Sequence, residues 1–93
     1  MEKIKIKFID ITQYKLNIAT GIDKYNNVIV TQSNNNKIYV NDNITHINNI
    51  KINTLQDIRN IINYYDDIVI SINRYRKNLD NTCLIDENFT FDF

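Results

Sequence analysis

The first residues of the chain constrain the fold most, because KIKIKFIDI begins with a strict alternation of charged and apolar side chains from Lys3 to Phe8. Successive side chains of a strand point to opposite faces, so this period of two predicts a strand with one solvated and one buried face. The lysines belong to the solvated face and the apolar residues to the buried one: Lys3, Lys5 and Lys7 against Ile4, Ile6 and Phe8.

The same period continues into the next segments. YKLNIATGI is followed by a turn at Asn26-Asn27, where asparagine tolerates the left-handed backbone region, so a hairpin is predicted from about Tyr14 to Thr31. Two β-branched runs, Val28 to Val30 and Ile38 to Val40, extend it as an antiparallel meander. In ITHINNIKIN, the first two isoleucines could cover the core from a loop, and the last two indicate a short strand.

The period changes to that of a helix in NTLQDIRNIINYYDD, which predicts an amphipathic helix over about residues 54–65. Thr54 and Asp57 have the spacing of a capping box at its start. The following IVISIN fits either a strand or an extension of the helix, and its β-branched residues after Asp66-Asp67 favour the strand. The apolar helical face consists of Leu55, Ile58, Ile61, Ile62 and Tyr65.

Together these elements predict an α+β fold, an antiparallel sheet of about five to seven strands with one helix packed on one face. A chain of 93 residues buries roughly 65% of its unfolded surface, which suffices for one small domain over residues 1–93. The C-terminal TCLIDENFTFDF has two interpretations. Alternating Phe89, Phe91 and Phe93 favour a final strand, and a free acidic segment ending in an aromatic hook is the alternative.

Residue types that carry out chemistry are scarce. Cys83 is the single cysteine, which excludes an intramolecular disulfide, and nothing places it beside His46, the single histidine. The lone Gly21 is too little for a phosphate-binding loop, and neither zinc-ligand clusters nor calcium-loop spacing occurs. We therefore expect no enzyme activity, cofactor or metal. The sequence contains no membrane-spanning run and no signal-peptide pattern, so a cytoplasmic location is expected, the host cytoplasm if the protein is viral.

Charge is distributed unevenly along the chain. Residues 1–79 carry eleven basic and seven acidic side chains, whereas residues 80–93 carry four acidic and no basic ones. Such asymmetry is typical of interaction segments and of nucleic-acid contact. The 19 isoleucines and 17 asparagines have AT-rich codons and indicate the genome of an AT-rich phage, plasmid, bacterium or virus.

The first functional hypothesis is a small, non-catalytic module that occupies the surface of a larger host protein. Phages and other mobile elements encode many such proteins, including anti-CRISPR and other anti-defence inhibitors that place acidic and aromatic side chains against nucleic-acid-binding clefts. A second copy of the chain, paired through an exposed sheet edge, is a further candidate partner. The candidate contact residues are Asp66, Asp67, Asp86, Glu87, Asp92 and Phe93.

The alternative hypothesis is single-stranded nucleic-acid binding by a basic surface near Tyr14, Tyr39 and Tyr75. The acidic C-terminus ending in phenylalanine resembles the tails of bacterial and phage single-stranded-DNA-binding proteins, and this resemblance implies the same ligand. The candidate nucleic-acid-binding residues are Lys3, Lys5, Lys7, Lys15, Arg74, Arg76 and Lys77.

Overall fold

Six strands and one helix form within residues 1–75 and 91–93, the residues that the computed structural model describes. The α+β class predicted from the sequence is confirmed, with a six-stranded antiparallel sheet and a single described helix. In chain order the elements are β1 Glu2–Phe8, β2 Ile18–Ile22, β3 Val28–Ser33, β4 Asn43–Ile47, β5 Ile50–Lys51, α1 Leu55–Tyr64 and β6 Ile68–Arg74.

The strands lie in the order β1, β6, β4, β3 and β2, and the short β5 pairs with β4. Strands β2 to β4 are neighbours in chain order, with β4 in place of the third strand predicted for the meander, whereas β6 returns to lie between β1 and β4. The choice of a strand for IVISIN is therefore confirmed. Its β-branched residues suit a central strand with partners on both sides, and its three isoleucines are almost fully buried: Ile68, Ile70 and Ile72.

The core lies between one face of the sheet and α1. In the β1–β6 pair, Ile4 lies opposite Ile72 and Ile6 opposite Ile70, so the apolar residues of the first strand share a face with those of the central one. From the helix, Ile58 packs into the same cluster. In ITHINNIKIN, Ile44 and Ile47 do cover the core, but they belong to strand β4 and not to a loop.

The helix begins as predicted, with a complete capping box. The Thr54 hydroxyl accepts the Asp57 N–H, and the Asp57 carboxylate accepts the Thr54 N–H. At the other end the prediction extended the apolar face one residue too far. Tyr65 has an extended backbone, with φ −113° and ψ 138°, so it leaves the helical period and its ring is exposed.

The hairpin of β2 and β3 is confirmed, although β2 begins at Ile18 and not near Tyr14. The residues before it form a turn in which the backbone carbonyl of Asp10 accepts a hydrogen bond from the Tyr14 N–H. At the tip of the hairpin Asn26 has a φ of 62°, as its position in the predicted turn requires.

A strand over Ile38 to Val40 was predicted and is wrong. This segment is a loop whose backbone groups are satisfied by polar side chains in place of a neighbouring strand. The Ser33 hydroxyl donates to the Ile38 carbonyl, and the Tyr39 N–H donates to the Asp42 carboxylate. Ile38 itself is fully buried, so it fills the core from this loop.

The last three residues lie beside β2 but are not a strand, so the predicted final strand is not formed over residues 91–93. Ile18 and Phe93 exchange backbone hydrogen bonds, and the Asp92 carboxylate accepts the Thr20 N–H at 2.9 Å. The Phe93 side chain is 9% exposed and packs in the core, so residues 91–93 do not form a free aromatic hook. Phe89 lies outside the described residues.

Candidate functional site

The sheet face opposite α1 carries basic and polar side chains, and we call it the outer face. It is defined by the strand registers, because residues paired across strands point to the same side. One row crosses five strands, about 19 Å at the usual strand spacing. This row is Lys3, Asn73, Asn43, Ile29 and Gly21, and a second row is Lys5, Ser71, His46 and Lys51.

The two rows contain cations and no carboxylate. Lys3, Lys5 and Lys51 are exposed at the β1 and β5 ends of the rows, and Lys7 continues the series along β1. His46 is half-buried, with its Nδ1 3.0 Å from the Thr45 hydroxyl. These two rows therefore offer ammonium groups and neutral hydrogen-bonding side chains to a ligand.

Two depressions lie on the outer face, and one lining residue of each belongs to the same cross-strand pair. The first, about 730 Å³, is lined by Lys3, Lys5 and His46 among others, and includes Asn73. The second, about 450 Å³, includes Asn43, the cross-strand partner of Asn73. We call this second depression the tyrosine end, and it is lined by Asp23, Tyr25, Asn27, Ile29, Val40, Asn41, Asp42, Asn43 and Tyr75.

Arg74, one of the predicted nucleic-acid-binding residues, has a structural role. Its guanidinium donates to both carboxylate oxygens of Asp42, at 2.9 and 2.8 Å, and lies 4.1 Å from the Tyr39 ring centroid. These hydrogen bonds raise the pKa of Arg74 and neutralise a carboxylate that is almost fully buried. Arg74 thus anchors the loop over residues 37–42 to β6 and is not free to bind a ligand.

The remaining predicted cations divide between two places. Lys15 is exposed, but it lines a different depression, beside Arg59 and Phe93. Arg76 and Lys77 lie outside the described residues. Of the predicted nucleic-acid-binding set, the structure brings together Lys3, Lys5 and Lys7 on β1.

The residues predicted to bind a protein are not gathered on one surface with Phe93. Asp66 and Asp67 follow α1 and are tied to the end of β1, where the Asp67 carboxylate accepts the Asp10 N–H. Asp92 is exposed but holds the edge of β2, and Phe93 is in the core. Asp86 and Glu87 lie outside the described residues.

Exposed aromatic and apolar side chains lie beside Asp66 and Asp67. The Tyr64 and Tyr65 rings meet edge to face, with centroids 4.8 Å apart, and Tyr64 is 79% exposed. The set of neighbouring exposed residues, which we call the α1–β6 corner, is Ile9, Asp10, Tyr64, Tyr65, Asp66 and Asp67.

Sequence reasoning missed the contribution of Lys51, His46 and the tyrosine end to the outer face. The period-two pattern of β6 places Ser71 and Asn73 opposite its buried isoleucines, which was the available signal. It could not identify the strands beside β6, because that depends on the chain returning between β1 and β4.

Within the described residues, no three His, Cys, Asp or Glu side chains are grouped to hold a metal ion. Helix α1, the helix in this part of the chain, is too short and too polar to cross a membrane. No protein-family model and no curated protein matches this chain.

Proposed function

We propose that the chain is a non-catalytic module that binds single-stranded nucleic acid through the outer face, in the cytoplasm of the cell that contains it. The observation that carries the proposal is the series of exposed lysines on one sheet face, in rows without a carboxylate. Ammonium groups arranged in this way attract phosphates and release their counterions. The asparagine and serine side chains between them can donate to phosphate or base oxygens.

Salt-dependent binding of a labelled single-stranded oligonucleotide tests this proposal. We expect fluorescence anisotropy to detect binding at about 50 mM salt and to show it falling steeply towards about 200 mM. In the double variant Lys3→Gln/Lys5→Gln, two phosphate contacts are lost, so the slope of log affinity against log salt should decrease by about 1.4.

Lys15→Gln is the matched control, because Lys15 is exposed and lies away from the outer face. Its salt slope and affinity should equal those of the wild-type protein. The proposal would be contradicted by no binding at low salt, by an affinity that does not change with salt, or by an equal loss of affinity in the Lys15 variant.

A second function, binding of a host protein, is favoured by the α1–β6 corner. Tyrosine is enriched at the energetic centres of protein interfaces, and three carboxylates beside exposed rings complement a basic surface. Two backbone-anchoring bonds, Ile11 N–H to the Asp66 carbonyl and Asp10 N–H to the Asp67 carboxylate, hold the corner in place. In this function the chain would be a phage or mobile-element inhibitor of a host defence protein.

Affinity capture with nuclease present tests this second function. A tagged wild-type chain should retain one larger host protein, and Tyr64→Ser/Asp66→Asn should lose it. Tyr25→Ser, at a similarly exposed ring on the outer face, should retain it. Capture of the same protein by all three chains, or by none, would exclude the corner as the contact surface.

A further inference from the structure

The tyrosine end combines two exposed rings that come from separate parts of the chain. Tyr25 lies in the turn between β2 and β3 and is 71% exposed, and Tyr75 follows β6 and is 51% exposed. Both line the same depression, with Ile29 at its base on the outer face. Two aromatic rings left in water beside an apolar side chain provide a surface on which a flat aromatic ligand can stack.

The turn that presents Tyr25 is held by other groups. The Asp23 carboxylate accepts the N–H groups of Tyr25 and Asn27, at 2.8 and 2.9 Å, and Asn26 takes the left-handed backbone conformation. Among the ring contacts described, Tyr25 has the Lys24 ammonium 5.1 Å from its centroid. The ring is therefore exposed on a turn whose conformation other groups hold.

The charges at this end favour a neutral ligand group over a phosphate. The N–H groups of Asn27 and Tyr25 hold the pKa of Asp23 below its ordinary value, so this carboxylate is ionised at neutral pH. Asp42 is neutralised by Arg74. An anion would thus be repelled from the depression and attracted to the lysines at the other end.

The spacing fits one strand of nucleic acid lying over both ends. Lys3 and Ile29 belong to the same cross-strand row, three strand spacings or about 14 Å apart. Asn73 and Asn43 lie between them and carry amide donors and acceptors. Phosphates can therefore lie on the lysines while a base of the same strand reaches the rings.

From these observations we infer that the tyrosine end is a base-stacking subsite, with Tyr25 and Tyr75 as the stacking residues. This inference rests on the proposed nucleic-acid-binding function and goes beyond it. It makes the bound ligand a single strand with accessible bases, since the bases of a duplex are already stacked on each other.

Comparison of three ligands tests the inference: a single strand of about 16 nucleotides, its duplex, and an abasic strand of equal length. The wild-type protein should bind the base-containing strand roughly 5- to 150-fold more tightly than the abasic one, the range expected for stacking of one base. Tyr25→Leu/Tyr75→Leu should lose this preference, with an unchanged salt slope. Tyr25→Phe should preserve it.

Tyr64→Leu is the matched control, because this ring is also largely exposed but lies at the α1–β6 corner. Equal wild-type affinity for the abasic and base-containing strands would overturn the inference and leave the proposed function intact. Absence of wild-type binding to every ligand would overturn both. The abasic comparison needs no variant, so misfolding of a variant could not obscure the result.

Discussion

Asparagine takes the place of glycine at the turns of this chain. Six described residues other than glycine have a positive φ, and five of them are asparagines. The single glycine, Gly21, does not have one. Asparagine tolerates the left-handed region better than other residues with a Cβ atom, and this explains how a chain so poor in glycine makes tight hairpins. The positions are Asp10, Asn17, Asn26, Asn41, Asn48 and Asn49.

Asn49→Ala tests this dependence. Residue 49 has a φ of 64° in the hairpin of β4 and β5, and alanine lacks the short polar side chain that makes this left-handed conformation tolerable for asparagine, so we expect a loss of about 1 kcal/mol in the free energy of unfolding. Asn49→Gly is the control and should preserve or increase stability. Chemical denaturation measures both. Equal destabilisation by alanine and glycine would mean that the amide side chain matters and the backbone conformation does not.

Asp42 and Arg74 form an ion pair whose two members differ in exposure, with 2% of the Asp42 side chain accessible against 21% of Arg74. Arg74→Met leaves a buried carboxylate without its partner and should cost about 3 kcal/mol, measured by urea unfolding. Asp42→Asn should cost less, because an amide oxygen can still accept the Tyr39 N–H and Arg74 can reach water. A larger loss of stability for Asp42→Asn than for Arg74→Met would show that the Asp42 carboxylate is solvated.

At the scale of elements, side-chain carboxylates satisfy backbone N–H groups at one helix end and at one strand edge. Asp57 closes the start of α1, and Asp92 accepts the Thr20 N–H at the edge of β2 as a neighbouring strand would. Both satisfy backbone N–H groups that would otherwise be left to water.

The helix start should respond to acid. The N–H groups of Asn53 and Thr54 hold the pKa of Asp57 below its ordinary value, so its contribution is complete above that value and is lost as the pH falls through the lowered pKa. The stability difference between wild type and Asp57→Asn should therefore shrink as the pH falls below about 4. Thermal melts across this range measure it. A difference that grows towards acid would contradict the assignment.

The C-terminal contact should make a large contribution to stability. Phe93→Ala removes a buried ring and should lower the free energy of unfolding by about 3 kcal/mol. Phe91→Ala, at a half-buried position, is the control and should cost less. Thermal or urea unfolding compares them. A wild-type melt for the Phe93 variant would mean that residues 91–93 leave the sheet in solution.

At the scale of the whole molecule, the two faces of the sheet have separate roles. One face and α1 form the isoleucine core, and the outer face displays exposed lysines. A net charge of zero thus conceals a local excess of cations. Among the described strands β1 is outermost, and a symmetric second copy paired with it and keeping both lysine series on one face would place lysine opposite lysine, which costs free energy.

Substitution of the outer-face lysines should therefore weaken nucleic-acid binding without lowering the stability of the fold. Lys3→Gln/Lys5→Gln should change the free energy of unfolding by no more than about 0.5 kcal/mol, because both side chains are exposed. The same variant should lose salt-dependent affinity for nucleic acid. A large loss of stability would show that these lysines support the fold, and any loss of binding could then not be assigned to lost contacts.

Periodicity and local chemistry were sufficient to predict much of this protein from its sequence. The strand of alternating lysines, the capping box and the Asn26 turn depend on neighbours within a few residues, so their physical causes are visible in the chain. The β-branched composition of IVISIN likewise favoured a strand. The loop at Ile38 was misread because polar side chains from Ser33 and Asp42 satisfied backbone groups that a strand would have paired.

Tertiary structure alone decided which residues share the outer face. Lys3, Asn73, Asn43 and Ile29 are distant in the chain and meet because β6 returns between β1 and β4. The same arrangement withdrew Arg74 from the basic surface by pairing it with Asp42. Local periodicity sets which face of a strand is buried, whereas strand order and register depend on long-range packing, and a candidate site spread over several strands depends on both.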